Sequence, residues 1–312
     1  MAAYLIRRLW QMIPTLFGVI LLVFLLFKGF GGDPAEILGG LNATTAQVDA
    51  IRSQLGLSEP LWVQFGIFLK QIVTFDWGQS WATSEAVSHL FATRLPATLT
   101  VMTPILILET LLAIPFAIFV AYVRGSLTDR AIMVATTVAL SISFLVYVII
   151  GQYVFAFQLG LFPVQGWSDS VLTNLRVYAP LPVLLAVAVS LAPQTRLYRT
   201  FFLDEIGHDY VRTARAKGMT ERTILLKHVL RNAMIPILTN VAVSLPGIFV
   251  GSFLIEVFFS IPGLGRELLL AVNRSDYPVI QAFAIYTAMI TMVVNLGTDI
   301  LYKLVDPRVV LK

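Results

Sequence analysis

Residues 209–236 read DYVRTARAKGMTERTILLKHVLRNAMIP. The stretch is basic and amphipathic, and what flanks it decides the fold. Residues 210–217 carry Ala and long straight side chains, which favour helix. Gly218 ends that helix, Thr220 caps a second, and Glu221 sits at the positive end of its dipole. Ile224, Leu225, Leu226, Val229 and Leu230 are then interleaved with Lys227, His228 and Arg231, and Pro236 marks the entry to the next apolar run. Apolar runs lie on both sides, at 179–197 and 236–259. The connection from Arg196 to Arg231 is longer than the roughly 2–8 residues of a simple helix–helix turn. A helix–glycine–helix of this kind has two physical uses. It lies on anionic headgroups, where each basic residue adds about 1 kcal/mol, or it fills a groove on a partner protein.

Outward from this stretch, composition narrows the class. The 312 residues are 57% hydrophobic and 13% charged, with a mean hydropathy of +0.82. Soluble domains are about 45–50% apolar and about 25% charged, so a soluble fold and a disordered chain are both excluded. The chain has no Cys, and His89, His208 and His228 have no ligand spacing. Six runs are long enough to span a bilayer, at 9–27, 98–123, 131–157, 179–197, 236–259 and 280–304. Arg7-Arg8 before the first run raises a secretory signal, but no small-x-small cleavage site follows, so the run reads as a retained first helix. With Arg7-Arg8 inside, the cytoplasmic pieces hold fifteen basic residues and the short outer loops three. The positive-inside rule then places both termini in the cytoplasm.

Residues 28–97 are too polar to span. Thr44-x-x-Gln47 reads as a capping box, Val48, Ile51 and Leu55 follow at helical spacing, and Gly56 suits a C-terminal cap. A second helix runs from Ser58-Glu59-Pro60 through Ile72, with Pro60 in its first turn. This loop reads as a small helical subdomain on the outer face.

Polar residues at membrane depth are candidates for lining a solute path: Gln152 in span three, Glu256 late in span five and Asn295 in span six, with Glu109 and Asp299 beside them. Interhelical hydrogen bonding is the competing use of such side chains. Prolines 104, 115, 193 and 246 kink their helices, for gating or simply within packed bundles. No Gly-x4-Gly-Lys-[Ser/Thr] occurs, so the chain lacks a nucleotide-phosphate cradle. An intramembrane hydrolase would need a Ser–His or Asp–Asp pair at membrane depth, and none is present. A secondary transporter would show an inverted repeat, which is not evident.

The run from Asp209 to Gly218, with Glu221-Arg222, 228–233 and Ile235-Pro236, resembles the cytoplasmic "EAA" loop of ABC-importer permeases. It is most similar to the dipeptide/oligopeptide/nickel subfamily, in which the acidic first position is replaced, here by Arg212, and the first Ala by Thr213. Gly32-Asp33-Pro34, 55–61, 76–80, 94–99, 160–167, 259–266, 276–281 and Asp306-Pro307-Arg308 resemble the first permease subunit of that subfamily. The resemblance implies an all-α polytopic fold of the type I ABC-importer permease, with six transmembrane helices. Its implied parts are a first helix at 1–27, an extracytoplasmic helical subdomain at 28–97, a permease core at 98–304 and a tail at 305–312. It implies a coupling helix within loop 196–235, formed by Asp209, Arg212, Ala214, Ala216, Gly218, Met219, Thr220 and Glu221. The implied partners are a homologous second permease, two ATPases holding ATP and Mg, an extracytoplasmic binding protein and membrane lipid, but no nucleic acid. The implied setting is the bacterial inner membrane and the cargo a peptide or similar small solute, with no catalysis and no cofactor in this chain.

Overall fold

The computed structural model describes residues 2–40 and 43–305. In chain order the helices are α1 (Ala2–Phe30), α2 (Pro34–Gly39), α3 (Thr45–Gln54), α4 (Leu61–Val73), α5 (Val87–Tyr122), α6 (Leu127–Ser141), α7 (Phe144–Gly151), α8 (Val171–Thr173), α9 (Pro180–Ile206), α10 (Asp209–Ala216), α11 (Glu221–Thr223), α12 (Leu230–Val250), α13 (Phe253–Phe258), α14 (Leu264–Asn273) and α15 (Tyr277–Val305). Wider π-helical turns at Gln152–Gln158, Asn174–Tyr178 and Ile224–Val229 continue α7, α8 and α11. Among the described residues the only β pairing is an isolated bridge from Gln79 to Ala86.

Five helices are long and apolar enough to cross a bilayer: Ile6–Gly29, Val87–Tyr122, Pro180–Ile206, Glu221–Val250 and Tyr277–Ile300. Where a sixth span is expected there is a pair, Leu127–Ser141 and Phe144–Gln158, bent by 90°, which makes six spans if the two count as one broken span. The expected continuous span at 131–157 is therefore broken. Ile142 is extended (φ −92°, ψ 130°). Before it, the hydroxyls of Thr136, Thr137 and Ser141 all bond back to carbonyls of their own helix. Such back-bonding loosens and bends a helix.

Other boundaries also move. The fourth span continues to Ile206 because Tyr198 and Phe202 carry its buried face onward. Arg196 and Arg199 thus stand on this helix and not in the loop. The fifth helix begins at Glu221, so Pro236 lies inside α12 and is not its entry. Membrane bundles tolerate such prolines because neighbours satisfy the carbonyl left without an amide. That helix ends at Val250, since Gly251 adopts φ +82°. Glu256 consequently belongs to the separate helix α13. The second span starts early, at Val87, with Pro96 inside it. Pro60 is the N-cap of α4, one step before the expected first turn.

By contact the chain forms two compact units, 1–96 with 263–312, and 97–262. In the first unit α1 packs along α15, and α4 packs on α1. Ile20, Val23, Ile72 and Ile285 form the buried centre of that packing. The Thr44–Gln47 capping box is present in full, and Gly56 takes φ +66° after α3. Asp33 caps α2 and is bonded by Arg52. The guanidinium holds the Asp33 carboxyl below the usual carboxylate range.

The second unit has two cores. One joins Val101, Val148, Leu181, Leu185 and Ile261, and the other joins Ala117, Tyr198, Phe202, Val211, Ile224, Val229 and Ile237. The second core places the connection that follows α9.

Candidate functional site

The connection between α9 and α12 is a folded element. Val211 and Ala214, three residues apart on α10, are buried among Tyr198, Phe202, Ile224 and Val229. The spacing sets one face of α10 inward. Asp209, Arg212, Ala216, Gly218, Thr220 and Glu221 remain exposed and Met219 is half-buried. Of the eight residues expected to form the coupling surface, Ala214 alone is a buried anchor.

Gly218 shapes the crest. At φ +76° it lies in the left-handed region, and nothing within 4 Å limits the space for a side chain. The requirement there is conformational. Its amide donates to the Arg215 carbonyl (2.9 Å), and the Met219 amide donates to the Ala214 carbonyl (3.3 Å). Those two bonds are the Schellman arrangement that closes a helix. Thr220 then accepts from the Thr223 amide and starts the next helix. Across the turn, Arg215 donates Nε–H to Glu221 Oε1 (2.6 Å) and Nη2–H to Oε2 (3.2 Å), a bidentate clamp. The carboxylate pushes the Arg215 guanidinium further up. At the other end, the Tyr210 hydroxyl donates to Glu205 Oε2 at 2.6 Å. Burial first, then Glu205, pushes that phenol up to about 12, so it stays a donor at any physiological pH.

The candidate path residues are mostly engaged in packing. Gln152 donates its amide to the carbonyls of Val164 (3.1 Å) and Phe258 (3.0 Å). Glu256 is 1% exposed and accepts from the Thr98 hydroxyl (2.9 Å). A Cβ on Gly251 would collide with Glu256 and Thr98, so the glycine is fixed by space as well as by φ. Gln152 and Glu256 thus both serve to hold α13. Asn295, in the other unit, is exposed beside Arg8, Gln11 and Thr15. One turn on, Asp299 accepts from Tyr4 Oη (2.7 Å) and Arg8 Nε (2.9 Å). Glu109 lies half-buried near Ser190.

Two buried ionic nodes escaped the sequence reading. Asp129, 6% exposed, accepts from the Gly125 amide (2.9 Å) and from Arg199 (2.9 Å). Asp276, 3% exposed, accepts from the Ser80 hydroxyl (2.5 Å) and the amides of Trp81 (3.0 Å) and Ala82 (3.3 Å). The signal for the second was present as two motifs, 76–80 and 276–281, with no indication that they meet.

Apolar spans with an amphipathic connection braced between the fourth and fifth belong to a membrane protein, and its class follows from known proteins. Residues 113–311 match the family described as binding-protein-dependent transport system inner membrane component, and residues 1–103 match its N-terminal membrane-component family. The chain belongs to this family and is a permease subunit of an ABC importer. It is 35% identical to the oligopeptide transport system permease protein AppB of Bacillus subtilis (strain 168), over 99% of both chains. It is 36% identical to the glutathione transport system permease protein GsiC of Shigella flexneri serotype 5b (strain 8401), again over 99% of both. A putative peptide transport system permease protein of Brucella abortus (strain 2308) is 34% identical over the same shares.

Proposed function

We propose that this chain is one of two homologous permease halves of an importer for peptides or similar small solutes, delivered by an extracytoplasmic binding protein and driven by two separate ATPases. The observation that carries the reading is the connection around Gly218. Its exposed crest of Asp209, Arg212, Ala216, Gly218, Thr220 and Glu221 is clamped by Arg215 and seated on Val211 and Ala214. A rigid projection suits force transfer from an ATPase groove better than a floppy loop does, because a linker that bends absorbs the stroke. The solute class follows from the names of the relatives over the whole chain length. Catalysis and nucleotide binding belong to the partners. We place the protein in the bacterial inner membrane, with both termini and the Gly218 crest in the cytoplasm and the 28–97 segment entered from the outer side.

Two measurements test this. The purified chain alone gives no ATP-binding heat in calorimetry, and in vesicles it moves peptide uphill only with the second permease half, the ATPases and the binding protein added. Uphill accumulation by the chain by itself would end the proposal. Orientation is read separately. The chain has no Cys, so Ser53→Cys should react with an impermeant thiol reagent on intact cells while Thr220→Cys reacts only after lysis. The opposite pattern reverses the topology.

A further inference from the structure

We infer that α4 and the turn after it form a re-entrant hairpin whose outer face lies in lipid hydrocarbon, in the leaflet at the C-terminal end of α1. The bilayer level can be set from charge. Arg8 pairs with Asp299 at one end of the α1–α15 pair (2.8 Å). The twenty residues from Arg8 to Lys28 rise about 30 Å, the thickness of the hydrocarbon core. Relative to Lys28, Phe24 is then about 6 Å deep and Phe17 about 16 Å deep.

The α4 side chains lie at those depths. The Phe65 ring meets both Phe17 (5.7 Å) and Phe24 (5.3 Å) edge-on. Ile72 is buried with Ile20, Val23 and Ile285. At the shallow end, Lys28 Nζ donates to Gln64 Oε1 (3.0 Å). The helix therefore lies against a flank of α1, Phe68 also meeting Phe24 (5.9 Å). With 13 residues it is too short to cross.

The chain turns at Phe75, in the left-handed region at φ +56°. Trp77 then packs against Tyr286 (6.5 Å) and Phe91 (5.3 Å). Four residues later Trp81 meets Tyr277 (5.6 Å), the first residue of α15. From Tyr286 to Tyr277 is about 13 Å along a helix, so the return limb climbs that far. Two of its backbone groups are bonded inside the protein, the Gly78 carbonyl by Val87 N–H and Ser80 N–H by the Glu85 carbonyl. Non-helical backbone at membrane depth requires such satisfaction.

The far side of the hairpin identifies its neighbour. Trp62 is 77% exposed, Val73 69% and Phe75 60%, with Leu61 beside them. Exposed apolar side chains also line α1, at Trp10, Leu22 and Leu25. Lys70, the one basic residue of α4, is exposed, and a stem of that length lets an ammonium reach the headgroups. Asp76 is exposed at the turn; a carboxylate at that depth calls for water. The hairpin thus has a dry face along Trp62 and Val73 and a wet edge at Asp76.

Spin labels on single cysteines in the reconstituted assembly read this directly. A label at Val73 should collide with molecular oxygen and be shielded from a nickel chelate, as a label at Leu22 is. A label at Ser53 on α3 should behave the opposite way. Nickel access at Val73 equal to that at Ser53, in a variant that still transports, overturns the proposal. The unmodified protein gives a second reading. A phospholipid with a photoactivatable acyl chain should label the tryptic peptide 53–70, and failure to label it while α1 is labelled also overturns the proposal.

Discussion

Replacing Gly218 by proline should abolish solute uptake and the stimulation of ATP hydrolysis by solute-loaded binding protein, while the permease still inserts and assembles in the membrane. The residue takes φ +76°, whereas proline is locked near −65°. Proline also lacks the amide that bonds the Arg215 carbonyl at 2.9 Å. Both Schellman bonds and the path into Thr220 are lost together. Gly218→Ala separates shape from space. A side chain has room there, so the only cost is the left-handed conformation, about 1–2 kcal/mol. Alanine should therefore reduce uptake partly and proline should eliminate it. Glu221→Arg attacks the same element from outside, since it removes the clamp and sets two guanidinium groups against each other across the turn. Vesicle uptake and ATPase rate, measured side by side, check all three. Wild-type coupling in Gly218→Pro would show that the crest transmits nothing.

The crest was legible in the sequence because each of its signals is local. A glycine that ends a helix, a threonine that starts one and an acid in the first turn act within a few residues of one another. The capping box at Thr44 and Gln47 was readable for the same reason. Helix ends were less so. A hydropathy window sees where the apolar run stops, but α5 starts at Val87 and the fifth span at Glu221, where the helix continues beyond the apolar run. The bend at Ile142 was hidden because no proline or glycine marks it. Long-range pairs were hardest. Asp129 and Arg199 look like loop charges until α6 and α9 bring them to 2.9 Å. The partners of Gln152 and Glu256 were hidden in the same way, since their bonds to Val164, Phe258 and Thr98 join distant parts of the chain.

Ser80 and Asp276 are 196 residues apart, and their pairing gives the second large effect. Asp276 is an acceptor that cannot be supplied locally: three donors converge on it, and Ser80 Oγ in turn accepts from the Thr83 amide at 3.0 Å. This node fastens the loop after α4 to the start of α15. Asp276→Ala would leave the buried Ser80 hydroxyl without its acceptor, at about 1–3 kcal/mol, and would free the part-buried amides of Trp81 and Ala82 at a smaller cost. The expected result is a permease that unfolds many degrees earlier in detergent and is recovered at low yield. Ser80→Ala keeps both backbone bonds to Asp276 but loses the hydroxyl's bond to it and the bond from the Thr83 amide, and should cost about 2 kcal/mol. Asp276→Asn keeps one acceptor oxygen but turns an amide toward donors, so it should fall between them. Because all three changes act on one network, the double variant Ser80→Ala/Asp276→Ala should be little worse than Asp276→Ala alone. Thermal unfolding of the four proteins decides it. Additive losses would mean that the serine and the aspartate are held by separate surroundings, with no shared node.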